Sequence, residues 1–170
     1  MYIFAGFIGG SHHNHLGGGS NFLCMPKFPA YSNKSDASPK QDRSFIYPVE
    51  YEIYSGIFET KITGRRSLSY YDAICAVCRV QGRGSVLMIP GLNTCPSGWT
   101  KEYSGYLMAP KKELHRAEYI CVDEKPNLDA GTQGTNRKAG YLNFVDTNCD
   151  ALKCPPYKKD LELSCVVCSN

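Results

Sequence analysis

The sequence has no long hydrophobic run and no strong excess of charge of one sign. Its 19 basic and 16 acidic residues leave a formal net charge of +3, which is too small to attract nucleic acid or an anionic membrane surface. No apolar stretch reaches the roughly 20 residues that a helix needs to cross a bilayer. We therefore predict neither nucleic-acid binding nor membrane insertion.

Recognisable catalytic motifs are lacking as well. The sequence contains no serine nucleophile elbow, no zinc-protease helix and no phosphate-binding loop. The run Gly17-Gly18-Gly19 is not followed by the Lys and Ser or Thr of a phosphate-binding loop, so it predicts a tight turn. The carboxylates show no spacing that selects a pair for acid–base chemistry. We predict that the protein is not an enzyme.

Cysteine, by contrast, is abundant, with nine residues in a chain of 170. Thiols at this density persist as disulfides in oxidising compartments, so we predict a secreted, extracellular protein. Residues 1–8 are apolar but have neither the basic start nor the small-residue cleavage site of a secretory leader. We expect that the leader of a secreted protein is not visible here because it has been removed or because the start of the sequence is shortened.

Alternating apolar and polar residues predict an all-β fold. Residues 49–53 (Val-Glu-Tyr-Glu-Ile) alternate as on a half-buried strand. The glycines of residues 81–84 predict a hairpin loop, and residues 110–116 give a short helix signal. Further strands are predicted at residues 2–8, 76–80, 85–89, 105–108, 118–122, 140–145 and 161–167, and surface loops at 31–43 and 127–138.

The cysteine pattern repeats within the chain. Residues 75–78 (Cys-Ala-Val-Cys) recur as residues 165–168 (Cys-Val-Val-Cys). Three further pairs of segments keep their order in both halves: 4–7 with 103–106, 24–27 with 121–124, and 47–50 with 143–146. We predict a tandem duplication of one disulfide-stapled β subdomain, with two similar, intertwined subdomains at residues 1–90 and 91–170.

The repeat also suggests how the cysteines pair. Residues three apart on a strand point to opposite faces, so the sulfurs of an extended Cys-x-x-Cys are expected to reach different partners. Sequence alone leaves the connectivity open. The duplication favours Cys24 with Cys75, Cys95 with Cys168, Cys121 with Cys165 and Cys149 with Cys154, leaving Cys78 as a free thiol. The first half lacks a counterpart of Cys95, so one further cysteine is expected upstream of Met1.

The order of segments at the junction of the halves resembles the C-terminal noncollagenous domain of type IV collagen, itself a tandem duplication. The shared segments are residues 75–78, 85–90, 95–99 and 105–106. Over nearly its full length the chain is more similar to the terminal domain of the short-chain, spongin-like collagens of invertebrates, including residues 17–19, 154–157 and 162–168. The resemblance implies a β-rich fold of two similar subdomains, disulfides in the pattern above, and a role in trimer formation or matrix assembly.

We therefore predict an extracellular matrix or assembly module that forms a homo-oligomer, a trimer or hexamer, and contacts matrix proteins or glycans. The alternative is a secreted, lectin-like glycan-binding protein. Its candidate binding surface is Trp99, Tyr103 and Tyr106, because aromatic side chains with polar edges suit sugar stacking. Tyr103 and Tyr106 also repeat Phe4 and Phe7, which favours a packing role for them.

Metal binding competes with these interpretations in two places. The two Cys-x-x-Cys pairs have the spacing of a four-thiolate zinc site, but zinc would leave five cysteines unexplained. His12, His13 and His15 carry imidazoles that suit zinc, copper or nickel, although a turn-rich surface loop explains them more simply. We predict no cofactor and no resident metal, with Ca²⁺ or another metal ion as the alternative.

Overall fold

The computed structural model of the chain describes residues 1–31, 44–54, 56–58, 68–132, 139–150 and 152–170. Its fold is all-β, as predicted, and the one helical element in these residues is a 3₁₀ turn at Ala130–Thr132. The strands are β1 (Tyr2–Gly10), β2 (Leu23–Pro26), β3 (Tyr47–Tyr51), β4 (Ile74–Cys78), β5 (Val86–Pro90), β6 (Thr100–Ala109), β7 (Ile120–Asp123), β8 (Gly140–Phe144) and β9 (Ser164–Ser169).

The nine strands form one sheet in the order β2-β1-β3-β8-β6-β9-β5, with β4 added to β1 and β7 added to β6. The pairings are antiparallel except that between β3 and β8, which run parallel at the centre. This central pair joins strands about half the chain apart. The halves of the sequence therefore lie on either side of one shared sheet.

The pairings of the two halves correspond residue by residue. Gly6 of β1 lies opposite Cys75 of β4, as Gly105 of β6 lies opposite Cys165 of β9. Both pairings are interrupted at the same relative point, between Tyr2 and Phe4 in β1 and between Lys101 and Tyr103 in β6. β2 and β7 add to the other edges of β1 and β6 in matching register. These matches support the duplication, which stays a prediction of the sequence.

Glycine has a specific role in both halves. A Cβ at Gly6 would overlap the carbonyl oxygen of Met25, and a Cβ at Gly105 would overlap that of Val122. Because any larger side chain would push the neighbouring strand away, glycine at these positions permits the close approach of β2 and β7.

Buried side chains form two clusters. The larger joins the central strands β3 and β8 to β6, β7 and the segment before β4, and its members are Val49, Tyr51, Ile53, Phe58, Leu68, Ala73, Met108, Val122 and Leu142. The smaller contains Leu107 and the Cys121–Cys165 disulfide. Both halves of the chain contribute to the larger cluster, so they share a core.

Three predictions of local structure are wrong or incomplete. Residues 110–116 form no helix; Lys111 and Leu114 close a turn, and the amide of His115 donates to the carbonyl of His13. Residues 81–84 contain a turn but no hairpin, because β4 pairs with β1 and β5 pairs with β9. The strand β2 was not predicted. Of the predicted loops, residues 32–43 and 133–138 lie outside the described residues.

Candidate functional site

Eight of the nine cysteines are joined in four disulfides. The bonds link Cys24 with Cys75, Cys95 with Cys168, Cys121 with Cys165, and Cys149 with Cys154, which are the pairs that the duplication favours. Cys78 is free and exposed. Three of the four sulfurs of the two Cys-x-x-Cys pairs are thus in disulfides, and they form no four-thiolate zinc site.

The outer edge of β9 is fully covered. β5 pairs with it over five residues, from Val86 opposite Ser169 to Pro90 opposite Cys165. The loop after β5 then brings Cys95 to Cys168, and the disulfide fixes the covering segment in place. Val166 and Cys168 are 0% exposed as a result.

The corresponding edge of β4 is open. In the part of the chain that the structure describes, β4 pairs with β1 and with no other strand. Ala76 and Cys78, which correspond to the buried Val166 and Cys168, are exposed. An unpaired strand edge offers a row of N–H and C=O groups to any extended segment that approaches it.

Apolar side chains lie beside this edge. Met1, Tyr2 and Ile3 are 68%, 62% and 54% exposed, and Tyr2 lies opposite Cys78. Their counterparts at the start of β6 are Thr100, Lys101 and Glu102, because Lys101 lies opposite Cys168 in the same way. We name the group Met1, Tyr2, Ile3, Ala76 and Cys78 the open edge.

The polar counterpart is engaged in local contacts. The Glu102 carboxylate accepts a hydrogen bond from the Ser169 hydroxyl and forms an ion pair with Arg83 at 3.2 Å. Polar side chains thus accompany the covered edge, and apolar ones the uncovered edge. The sequence analysis did not single out residues 1–3, although aligning them with residues 100–102 in the repeat reveals that apolar residues stand where the second half has polar ones.

The predicted aromatic surface is not assembled. Tyr106 lies on one face of β6 and packs against Phe58 and Phe144, with ring centroids 5.3 Å and 5.2 Å away. Tyr103 lies on the other face, where its hydroxyl donates to the carbonyl of Cys121 and burial raises its pKa. Residues three apart on a strand point to opposite faces, so Trp99, Tyr103 and Tyr106 form no common platform.

The three clustered histidines are stacked. The ring of His12 lies between those of His13 and His15, with centroid distances of 4.3 Å and 4.2 Å. Metal coordination requires ring nitrogens that converge on one point, which face-to-face stacking does not provide. No three His, Cys, Asp or Glu side chains in the described part of the chain are placed to hold one metal ion.

No protein-family model matches the chain, and no solved structure matches it. The resemblance to collagen terminal domains therefore stays a prediction from the sequence. None of the described segments forms a helix with the length and hydrophobicity that crossing a bilayer requires.

Proposed function

We propose that the protein is an extracellular assembly module that associates with further copies of itself through the open edge. The observation that carries this proposal is the contrast between two corresponding strands. β9 is covered by β5 and a disulfide-bonded loop, whereas β4 has an unpaired edge in the described residues, flanked by exposed apolar side chains.

Two physical effects favour covering the open edge. An added strand would satisfy backbone groups on β4 by hydrogen bonding, as in other cases of strand addition. An added strand on the outer edge of β4 would not by itself bury Met1, Tyr2 and Ile3, because residues 100–102 at the corresponding place stay exposed although β5 covers β9. If the second copy also extends over β1, burying each of the three side chains is worth about 1.5–3 kcal/mol, which offsets much of the entropy lost on association.

The setting and the stoichiometry follow from other features. Four disulfides persist in oxidising compartments, which supports an extracellular location. The resemblance adds the expectation of a trimer or hexamer in contact with matrix proteins or glycans. If an extended segment of each copy covers β4 of the next, the contact is head-to-tail and closes into a ring when the rotation between neighbouring copies permits, and a ring of three copies would match the expected trimer. Two such rings make a hexamer.

The experiment replaces apolar residues at the open edge with the polar residues found at the corresponding positions beside the covered edge of β9. In the variant Y2K/I3E, the first half carries the residue types of Lys101 and Glu102, which the same strand position already tolerates in the second half. Light scattering coupled to size-exclusion chromatography should find a trimer or hexamer for the unchanged chain and a monomer for Y2K/I3E. The matched control is L152K/L161E, which places the same charges on other exposed apolar residues and should keep the oligomer.

Cys78 provides an independent readout because it is the free cysteine. Its reaction with a water-soluble disulfide reagent should be slow in the oligomer and fast in Y2K/I3E, since a covering strand would shield it as β5 shields Cys168. A monomeric unchanged chain at about 100 μM, near the weak end of specific association, would refute self-association. If the unchanged chain and Y2K/I3E form the same oligomer and their Cys78 thiols react equally fast, the contact between copies lies in another part of the molecule.

The glycan-binding alternative finds no support in Trp99, Tyr103 and Tyr106, because β6 places the two tyrosines on opposite faces. A sugar site would have to lie in another part of the molecule.

A further inference from the structure

A cavity of about 760 Å³ lies between two loops at the far end of the sheet from the open edge. One loop follows β1 and holds His12, His13 and His15; the other follows β6 and holds His115 and Arg116. Every histidine of the chain, four in all, lines this cavity. The sequence analysis had considered His12, His13 and His15 as metal ligands but not His115.

The two loops occupy corresponding places in the two halves. β1 and β6 end beside β3 and β8 in matching pairings, and β3 and β8 join at the centre of the sheet. The loops therefore meet where the halves meet. The amide of His115 donates a hydrogen bond to the carbonyl of His13 at 3.2 Å. The amide of His13 donates to the carbonyl of Ala139 at 3.0 Å. Backbone bonds thus hold both walls in position.

The charged side chains that line the cavity are all basic: they are Lys111, Lys112 and Arg116, and no Asp or Glu is among the lining residues. Lys111 is paired with Glu52 at 2.8 Å and Lys112 with Glu113 at 3.8 Å. Arg116 forms no ion pair within the described residues. A concave surface lined by one sign of charge concentrates ions of the opposite sign.

The glycine loop shapes one wall of the cavity. Gly17, Gly18 and Gly19 line the cavity, and Gly18 has a φ of +114° that a residue with a side chain rarely adopts. The Ser11 hydroxyl donates to the carbonyl of Gly19 at 2.6 Å and closes this loop on itself. The exposed ring of Tyr119 stands at the rim, where a sugar ring could pack against it.

We propose that this cavity binds the sulfate or carboxylate groups of an acidic polysaccharide. Arg116 and the exposed imidazoles of His15 and His115 donate hydrogen bonds to the anionic groups, and the ring of Tyr119 contacts the attached sugar. The stacked rings of His12, His13 and His15 do not direct their nitrogens at one metal ion, whereas a polysaccharide with several anionic groups can accept hydrogen bonds from separate side chains. The site is separate from the open edge, and its occupation does not require self-association.

The test is calorimetric titration with a heparin-derived hexasaccharide at low ionic strength. The variant H115A/R116A should weaken binding about tenfold, since each lost charged hydrogen bond contributes strongly to affinity. The matched control K158A/K159A removes two exposed cations outside the cavity and should leave the affinity unchanged. Affinity should also fall as salt is raised to about 0.5 M, because salt screens exposed charges.

Titrations with further ligands show whether sulfate or carboxylate groups are recognised and whether the sugar is needed. A sulfate-free, carboxylated hexasaccharide that binds with the same sensitivity to H115A/R116A identifies carboxylate as sufficient, and one that does not bind identifies sulfate. Inorganic sulfate binding as tightly as the hexasaccharide would overturn the polysaccharide assignment. Equal loss in both variants would reduce the effect to nonspecific charge attraction. Absence of hexasaccharide binding would refute the proposed anion site, and so would binding of Zn²⁺ that H115A/R116A abolishes. Thermal unfolding should first show that each variant is folded.

Discussion

The two outer strands β9 and β4 carry the same Cys-x-x-Cys pattern, and they pair in the same register with β6 and β1. Their outer edges nevertheless differ completely. Cys168 is fully buried beneath β5 and bonded to Cys95, whereas Cys78 is an exposed free thiol. Residues at corresponding positions are thus buried beside β5 and exposed where no third strand pairs within the described residues.

The strands that pair with β9 and β4, which are β6 and β1, also differ in the residues with which they begin. β6 begins with polar residues where β5 covers the edge, and β1 begins with Met1, Tyr2 and Ile3 where no described strand does. Exposed contiguous apolar surface beside an unpaired edge is a feature of interaction sites and of aggregation-prone proteins. Within the described residues, the first half thus combines an unpaired strand edge with exposed apolar side chains, which are the two features that the proposed self-association uses.

Breaking the Cys95–Cys168 bond should have the largest effect on stability. This disulfide spans 73 residues, and closing a loop of that length is worth about 4 kcal/mol through the unfolded chain. We expect C95A/C168A to lose about that amount in urea unfolding, because β5 would then be held to β9 by strand pairing alone.

The corresponding change in the first half is C78A, which removes an exposed thiol without a bond. Its free energy of unfolding should stay within about 0.5 kcal/mol of the unchanged chain. A large loss in C78A, or none in C95A/C168A, would show that the covering segment is not what distinguishes the two edges.

A second test asks whether each half depends equally on its own close contact between strands, that of Gly6 with Met25 and that of Gly105 with Val122. G6A and G105A each place a methyl group onto a backbone carbonyl oxygen of the adjacent strand, and such overpacking costs about 3 kcal/mol or less. We expect similar losses for the two variants in thermal unfolding. G84A is the control, because a Cβ there meets nothing within 4 Å. Unequal losses would mean that β2 and β7 contribute differently, despite their matching register.

Much of this architecture could be predicted from local pattern. The alternation in residues 49–53 marked the region of β3, and the repeated cysteines indicated which strands correspond. Cysteine pairing was predictable because a repeated framework leaves few consistent partners. The duplication also predicted correctly that Cys78 has no disulfide partner among the other eight cysteines.

The errors came from contacts distant in sequence. Residues 110–116 begin with a proline suited to a helix, but Lys111 bonds to Glu52 and Asn143 and the His115 amide bonds to His13, and these contacts hold an irregular segment. The glycines of residues 81–84 do make a turn, yet the flanking strands pair with β1 and β9. The parallel pair β3–β8 has no local signal at all, so the cavity beside it could not be foreseen.

A last correspondence concerns two pairs of carboxyl groups. Glu50 lies opposite Asp72 across an isolated bridge in the first half, and Asp146 lies opposite Glu162 in the second. The first pair is buried, at 0% and 6% exposure, whereas the second is exposed. Desolvation raises the pKa of Asp146, and the negative charges of Glu162 and Asp160 raise it further.

The smallest predicted effect follows from that raised pKa. The folded chain holds the Asp146 proton more tightly than the unfolded chain, so the ionised carboxylate opposes folding above the folded pKa, and this penalty fades as pH falls toward the unfolded value. D146N should therefore raise the free energy of unfolding slightly at pH 7, by less than about 0.5 kcal/mol because the site is exposed to solvent, and the gain should vanish near pH 4. D150N is the control for the loss of one negative charge, because it changes a nearby carboxylate outside the bridge. If D146N lowers the free energy of unfolding at pH 7, the second carboxyl pair stabilises the fold.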